Sequence, residues 1–240
     1  MKKSLVMLGV LAGLMGSANA AEWGYHGAHG PEHWGDVSAL CQQGKNQSPI
    51  NIDHVLEADL AKLDINYQGR VTELVNNGHT LQAVVGGDNR VVVDGQTFDL
   101  QQFHFHTPSE NLIKGQQFAV EAHFVNSDQQ GNLAVIAVMF DLGSELNKPL
   151  ASLLQQVPKT GESVKLDSGL DVRKLLPDFD GYYRFNGSLT TPPCSEGVRW
   201  LVLNEPLSVN QHQRDVLNQA MGDNNRPTQP INARQVLGND

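Results

Sequence analysis

Between Arg70 and Leu142 the chain consists almost entirely of short runs rich in β-branched and aromatic residues, separated by turn signals. The runs are RVTELV, TLQAVV, RVVVDG, TFDLQQFHFH, FAVEAHFVN and LAVIAVMFDL; the breaks between them include NNG, GGDN, KGQQ and DQQGN. Runs of this kind joined by short Gly- and Asn-bearing turns predict strands that pair with their sequence neighbours, hence a largely antiparallel sheet. A further strand, VRWLVL, is predicted at Val198 to Leu203. Helical spacing is confined to shorter pieces: Lys148 to Val157, Val172 to Leu176 and Val209 to Met221, the first and last with an Asn at the start. Strands in the middle with helices at the periphery predict an α+β arrangement.

The same strand periodicity makes QQFHFHTPSE, residues 101 to 110, informative. In an extended strand, side chains two apart share a face. Gln102, His104 and His106 therefore fall on one side, and Phe103 and Phe105 on the other. In EAHFVN, residues 121 to 126, the same parity groups Glu121, His123 and Val125 against Ala122 and Phe124. If the two strands are neighbours, His104, His106 and His123 converge. Three neutral imidazoles around one ion, with the fourth position left to water, make a catalytic rather than a structural zinc site. Gln102 and Glu121, each two residues before a histidine, fit the partners that orient metal-bound rings. The plain alternative is three hydrogen-bonded structural histidines. A second group, His26, His29 and His33, lies in glycine-rich coil that fixes ligands poorly.

The first twenty residues, MKKSLVMLGVLAGLMGSANA, have two lysines, an apolar run from Leu5 to Met15 and a small-x-small end at Ala18-Asn19-Ala20. This reads as a secretory signal peptide, too short to span a bilayer, leaving one domain over residues 21 to 240. Export to the periplasm follows as an expectation, with no membrane insertion of the mature chain. Losing Lys2 and Lys3 takes the formal net charge from −9 to −11, which argues against nucleic-acid binding. Cys41 and Cys194 are the two cysteines. In an oxidising compartment a single disulfide is the default reading, with two free thiols or an intermolecular link as alternatives. Such a bridge would be worth at most roughly 4–5 kcal/mol in the chain-entropy treatment.

Taken together, WGYHGAHGPEHWG, NQSPINI, NNGHTLQ, QQFHFHTPSE, AVEAHFVN, SLTTPPCSEGVRWLVL and NRPTQPINAR resemble the α-class carbonic anhydrases, in family order over nearly the whole mature chain. The resemblance implies a single domain with a central, mostly antiparallel twisted sheet of about ten strands, and zinc at the base of a conical cleft. It implies reversible hydration of carbon dioxide to bicarbonate and a proton by zinc-bound hydroxide. It implies His104, His106 and His123 as zinc ligands, Thr190 and Glu110 as the pair orienting the hydroxide, and His79 as proton shuttle. Val125, Val135, Leu189 and Trp200, with Thr191 beside them, match the substrate pocket, and Cys41 and Cys194 match a disulfide of secreted and bacterial members. Sulfonamide and anion inhibitors and a homodimer are further implications. The chain departs from many animal members at Thr107-Pro108-Ser109 and at Gln82, which touches the cleft wall and the water path rather than the ligands. Rival readings are a zinc hydrolase of esters, although no HExxH motif is present, and a periplasmic zinc carrier.

Overall fold

A computed structural model describes residues 22–239; the segment read from the sequence as a signal peptide lies outside the described residues. The sheet follows a path of ten strands: Ser163–Asp171, Arg70–Asn76, Leu81–Gly86, Gln96–His106, Val120–Ser127, Leu133–Gly143, Glu196–Leu203, Tyr182–Ser188, Val236–Gly238 and Val55–Glu57. Three further strands, Asp64–Tyr67, Asn89–Val93 and Leu207–Asn210, attach beside this path. Every strand expected from the sequence forms, and the pairing among those between Arg70 and Leu142 is antiparallel, but Leu81–Gly86 passes over its sequence neighbour Asn89–Val93 and pairs with Gln96–His106 instead. Parallel pairing enters where Glu196–Leu203 and Leu207–Asn210 dock on Leu133–Gly143, and where Val236–Gly238 docks on Val55–Glu57. The strands Ser163–Asp171 and Tyr182–Ser188 are the main elements beyond those expected. Both carry Gly, Asp or Asn within them, and pairing with Arg70–Asn76 and Glu196–Leu203 overrides that weak local signal.

The helices are short. Lys148–Leu153 stops a turn earlier than its periodicity suggested, and Asn147 caps it by accepting from Leu150 N. Val209 belongs to a strand, and Asn210 is the cap of helix Gln211–Met221, its side chain accepting from Gln213 N. Residues 172–175 form one 3₁₀ turn.

The sheet is covered on both faces, which explains the unbroken apolar run in Leu133–Gly143. Ala134, Ile136, Val138 and Phe140 join Phe103, Phe105, Ala122 and Phe124 in the larger core. Val135, Ala137 and Met139 turn the other way, into a smaller core with Ile50, Ile52, Phe118, Trp200 and Val202. The histidines share the parity of this second face.

Candidate metal centre

Register brings the histidines together. Gln96–His106 and Val120–Ser127 are antiparallel neighbours in which His104 pairs with His123 and His106 with Glu121. Directly opposite residues in such a ladder put their Cβ atoms about 5 Å apart, and His106 sits two residues along on the same face. One ligand atom from each of the three rings lies within 4.8 Å of the others. His106 and His123 are 1% and 2% exposed, whereas His104 is only half-buried, so the cluster reaches solvent at His104.

Each ring has one nitrogen engaged from outside the cluster. Nδ1 of His104 is 2.9 Å from Gln102 Oε1, and Nδ1 of His106 is 2.8 Å from the Asn224 carbonyl. His123 approaches Glu121 Oε1 through Nε2 at 2.9 Å, off the line of a hydrogen bond. These contacts leave Nε2 of His104 and His106 and Nδ1 of His123 to serve an ion. His106 Nε2 is buried with no hydrogen-bond partner among the described residues. A buried, orphaned imidazole nitrogen is costly unless something binds it, so the donor set fits a metal. Burial holds all three rings below the ordinary histidine pKa, with the neighbouring histidines adding to the effect at His104 and His123. They are therefore neutral at pH 7, the form that ligates.

Two carboxylates complete the interior. Glu121 accepts from the backbone N–H groups of Glu110 and Asn111, at 2.7 and 2.8 Å, and from Asn111 Nδ2 at 2.7 Å. Burial raises its pKa and the Asn111 donors oppose the rise. Glu110 accepts from Arg226 N at 2.8 Å through Oε1, while Oε2 has no hydrogen-bond partner and lies 3.5 Å from His106 Nε2 and 3.9 Å from His123 Nδ1. Burial pushes the Glu110 carboxyl up, and the Arg226 N–H and the Thr190 hydroxyl act against it.

Of the other residues singled out in the sequence, Val125, Val135, Leu189 and Trp200 all pack in the smaller core beside the histidines. Trp200 meets the His123 ring edge-on at 4.8 Å. Val135 and Trp200 are 2% and 1% exposed, so surface on this wall comes from the half-buried Val125 and Leu189; Thr191 is half-buried as well. Cys41 and Cys194 form an intramolecular disulfide, which removes the free-thiol and intermolecular alternatives. His79 is half-buried and stacks on Trp23, ring centroids 3.8 Å apart and planes 8° apart. His26, His29 and His33 are exposed and form no metal-ligand group among the described residues.

Asn111, Asn224 and Arg226 were not singled out from the sequence. Asn224 accepts from Thr107 N and donates to the carbonyls of His79 and Phe105, while its own carbonyl faces His106. It is one asparagine among several in coil, and only long-range contact distinguishes it. Arg226 lies inside NRPTQPINAR, but nothing local marks it as 2% exposed.

The sequence profile of the eukaryotic-type carbonic anhydrases matches residues 29–240. A carbonic anhydrase of Pectobacterium atrosepticum is 45% identical over 226 residues, covering 92% of both chains. The solved α-carbonic anhydrase of Photobacterium profundum is 56% identical, with a TM-score of 0.89 over 90% of this chain and 100% of that one. The α-carbonic anhydrase of Thermovibrio ammonificans, solved with the inhibitor sulfanilamide, is 48% identical, with a TM-score of 0.87 over 90% of this chain and 99% of that one. With this fold, this histidine cluster and this extent of similarity, the chain belongs to the α-carbonic anhydrase family of enzymes.

Proposed function

We propose that the protein catalyses the reversible hydration of carbon dioxide to bicarbonate and a proton, with zinc held by His104, His106 and His123. The observation that carries this reading is the convergence of three imidazoles, two of them buried and two held from behind by hydrogen bonds, in a chain of this family. Zinc in such a three-histidine site lowers the pKa of coordinated water to about 7 and so supplies hydroxide at neutral pH, a value for which carbonic anhydrase is itself the reference case.

The chain's own residues account for the rest. An ionised Glu110 is acceptor-only, so if it takes the Thr190 proton, the threonine oxygen is left to accept a hydrogen from the nucleophile and so to aim its lone pair. Val125, Leu189 and Thr191, backed by Val135 and Trp200, offer carbon dioxide an apolar wall suited to a molecule without charge. His79 takes the proton onward to buffer; burial lowers its pKa from the usual histidine value near 6.5, which keeps the ring neutral and able to accept. A gate at Thr190 also favours inhibitors whose donor atom carries a hydrogen, so sulfonamides should bind.

The disulfide is compatible with an extracellular or periplasmic protein, and among the described residues no helix is long and apolar enough to cross a membrane. Cleavage near Ala21, periplasmic location and a homodimer complete the proposal. Stopped-flow carbon dioxide hydration with a pH indicator tests its centre, using mature zinc-loaded protein beside chelator-stripped protein. Zinc-dependent acceleration is the expected result; no acceleration with one zinc per chain would leave only a fold and a metal site.

A further inference from the structure

Asn46 to Pro49, in the segment NQSPINI, runs between the two parts of the site that carry Thr190 and Glu110. Gln47 and Ser48 are 3% and 0% exposed. The Gln47 carboxamide works in both directions: Nε2 donates to the Cys194 carbonyl at 3.0 Å and to Glu196 Oε1 at 3.1 Å, while Oε1 accepts from Arg226 Nη1 at 2.9 Å. Ser48 exchanges two hydrogen bonds with Ser188, N to Oγ in each direction, at 2.9 and 3.1 Å. Its carbonyl accepts from Arg226 Nη1 at 2.7 Å. Arg226 N then donates to Glu110 Oε1. Two glycines make room for this segment: a Cβ at Gly44 would collide with Gln47 Nε2, and one at Gly187 with Ser48 Oγ.

Ser188 and Cys194 bracket Thr190. The loop between them is closed on itself by Leu189 N donating to the Ser195 carbonyl and Cys194 N to that of Thr191, at 3.0 and 2.8 Å. Holding its two ends therefore holds the Thr190 backbone. Glu110 follows a different strand, so the relative placement of the two residues depends on a connection between distant parts of the chain.

We propose that Gln47 is a positioning residue that sets the Thr190 hydroxyl against the Glu110 carboxylate, acting through Cys194 on one side and Arg226 on the other. A carboxamide supplies a donor and an acceptor from one planar group, and both are used here. Glutamate keeps the acceptor toward Arg226, but it turns a carboxylate oxygen on the Cys194 carbonyl and Glu196. Methionine fills a similar volume with neither function. The inference rests on the reading of Thr190 and Glu110 as the orienting pair, and small displacements of such a pair are expensive in rate.

The test uses Gln47→Glu, Gln47→Met and the milder Gln47→Asn, each brought to one zinc per chain. kcat/KM for hydration and the ratio of inhibition constants for sulfanilamide and thiocyanate are measured. Thiocyanate has no hydrogen for Thr190 to accept, so the ratio reports on the gate itself. kcat/KM is expected to fall roughly 10- to 100-fold in the first two variants, with sulfanilamide losing affinity several-fold relative to thiocyanate, and Gln47→Asn shifting the ratio in the same direction. Tyr67→Phe is the structural control. It removes the buried bond from Tyr67 Oη to Asn126 Oδ1, in the larger core, and should lower Tm without moving the ratio. An unchanged ratio and rate in any folded, zinc-loaded Gln47 variant would overturn the role of Gln47. No hydration by the unsubstituted zinc-loaded protein would instead overturn the functional reading on which it stands.

Discussion

His104 and His123 face each other directly across two antiparallel strands, with ring centroids 5.4 Å apart and planes at 84°. The pairing makes the site a property of sheet register: a slip by one residue would turn His123 into the larger core and bring Phe124 or Ala122 in its place. Two of the rings are also held from outside the cluster, His104 by Gln102 and His106 by Asn224.

Removing the outer hold should weaken the metal more than the fold. Gln102→Ala is expected to lower zinc affinity by about 10- to 100-fold with little change in Tm of the metal-free protein. His104→Ala should abolish stoichiometric zinc retention. Chelator competition and metal analysis of the purified proteins check both.

His79 predicts a dependence on buffer. Proton release straight to water cannot exceed about 10³ s⁻¹ for a group of pKa near 7 with diffusion-limited transfer. His79→Ala should therefore lose turnover in weak buffer and regain it with added imidazole, as measured by hydration rates across an imidazole series. If neither loss nor rescue occurs, His79 has no part in proton transfer.

The Trp23 stack sets the sign of a pH effect. Burial lowers the His79 pKa and Glu22 partly opposes this, so the neutral, proton-accepting ring persists below pH 6.5. Trp23→Ala should move the pKa back up toward about 6.5, shifting the acid limb of the proton-transfer profile to higher pH. NMR titration of the His79 ring in both proteins reads this directly. The stability linked to the shift is present above pH 6.5 and is lost as pH falls from there through the lowered folded value.

Phe103 backs the site from the opposite face, stacked on Phe124 with centroids 4.8 Å apart and fully buried. Phe103→Ala should cost about 3–5 kcal/mol of folding stability, measured by urea denaturation of the metal-free protein. A cost below about 1 kcal/mol would mean that the strands carrying the histidines do not depend on this stack.

The disulfide closes a loop of 153 residues, for which the chain-entropy treatment gives about 5 kcal/mol as an upper value. Cys41→Ser with Cys194→Ser should lower stability by up to that amount. Because Cys194 ends the loop carrying Thr190, turnover should fall as well, in protein that remains folded and zinc-loaded. Activity unchanged after reduction under those conditions would restrict the bridge to stability.

By itself the sequence determined whatever depends on period and local chemistry. Alternation placed His104 and His106 on one face and Phe103 and Phe105 on the other, and the same rule aligned His123 with Glu121. Asn147 and Asn210 marked helix starts because a short side-chain acceptor satisfies the first free N–H groups. Tertiary structure decided what depends on closure between distant segments. Register between two strands made three histidines into one cluster. Parallel docking of Glu196–Leu203 on Leu133–Gly143 brought Trp200 against His123. Gln47, Asn224 and Arg226 are ordinary polar residues in coil until the fold buries them. Once buried, their hydrogen bonds have to be satisfied within the protein, and that requirement ties Thr190, Glu110 and His106 together across the chain.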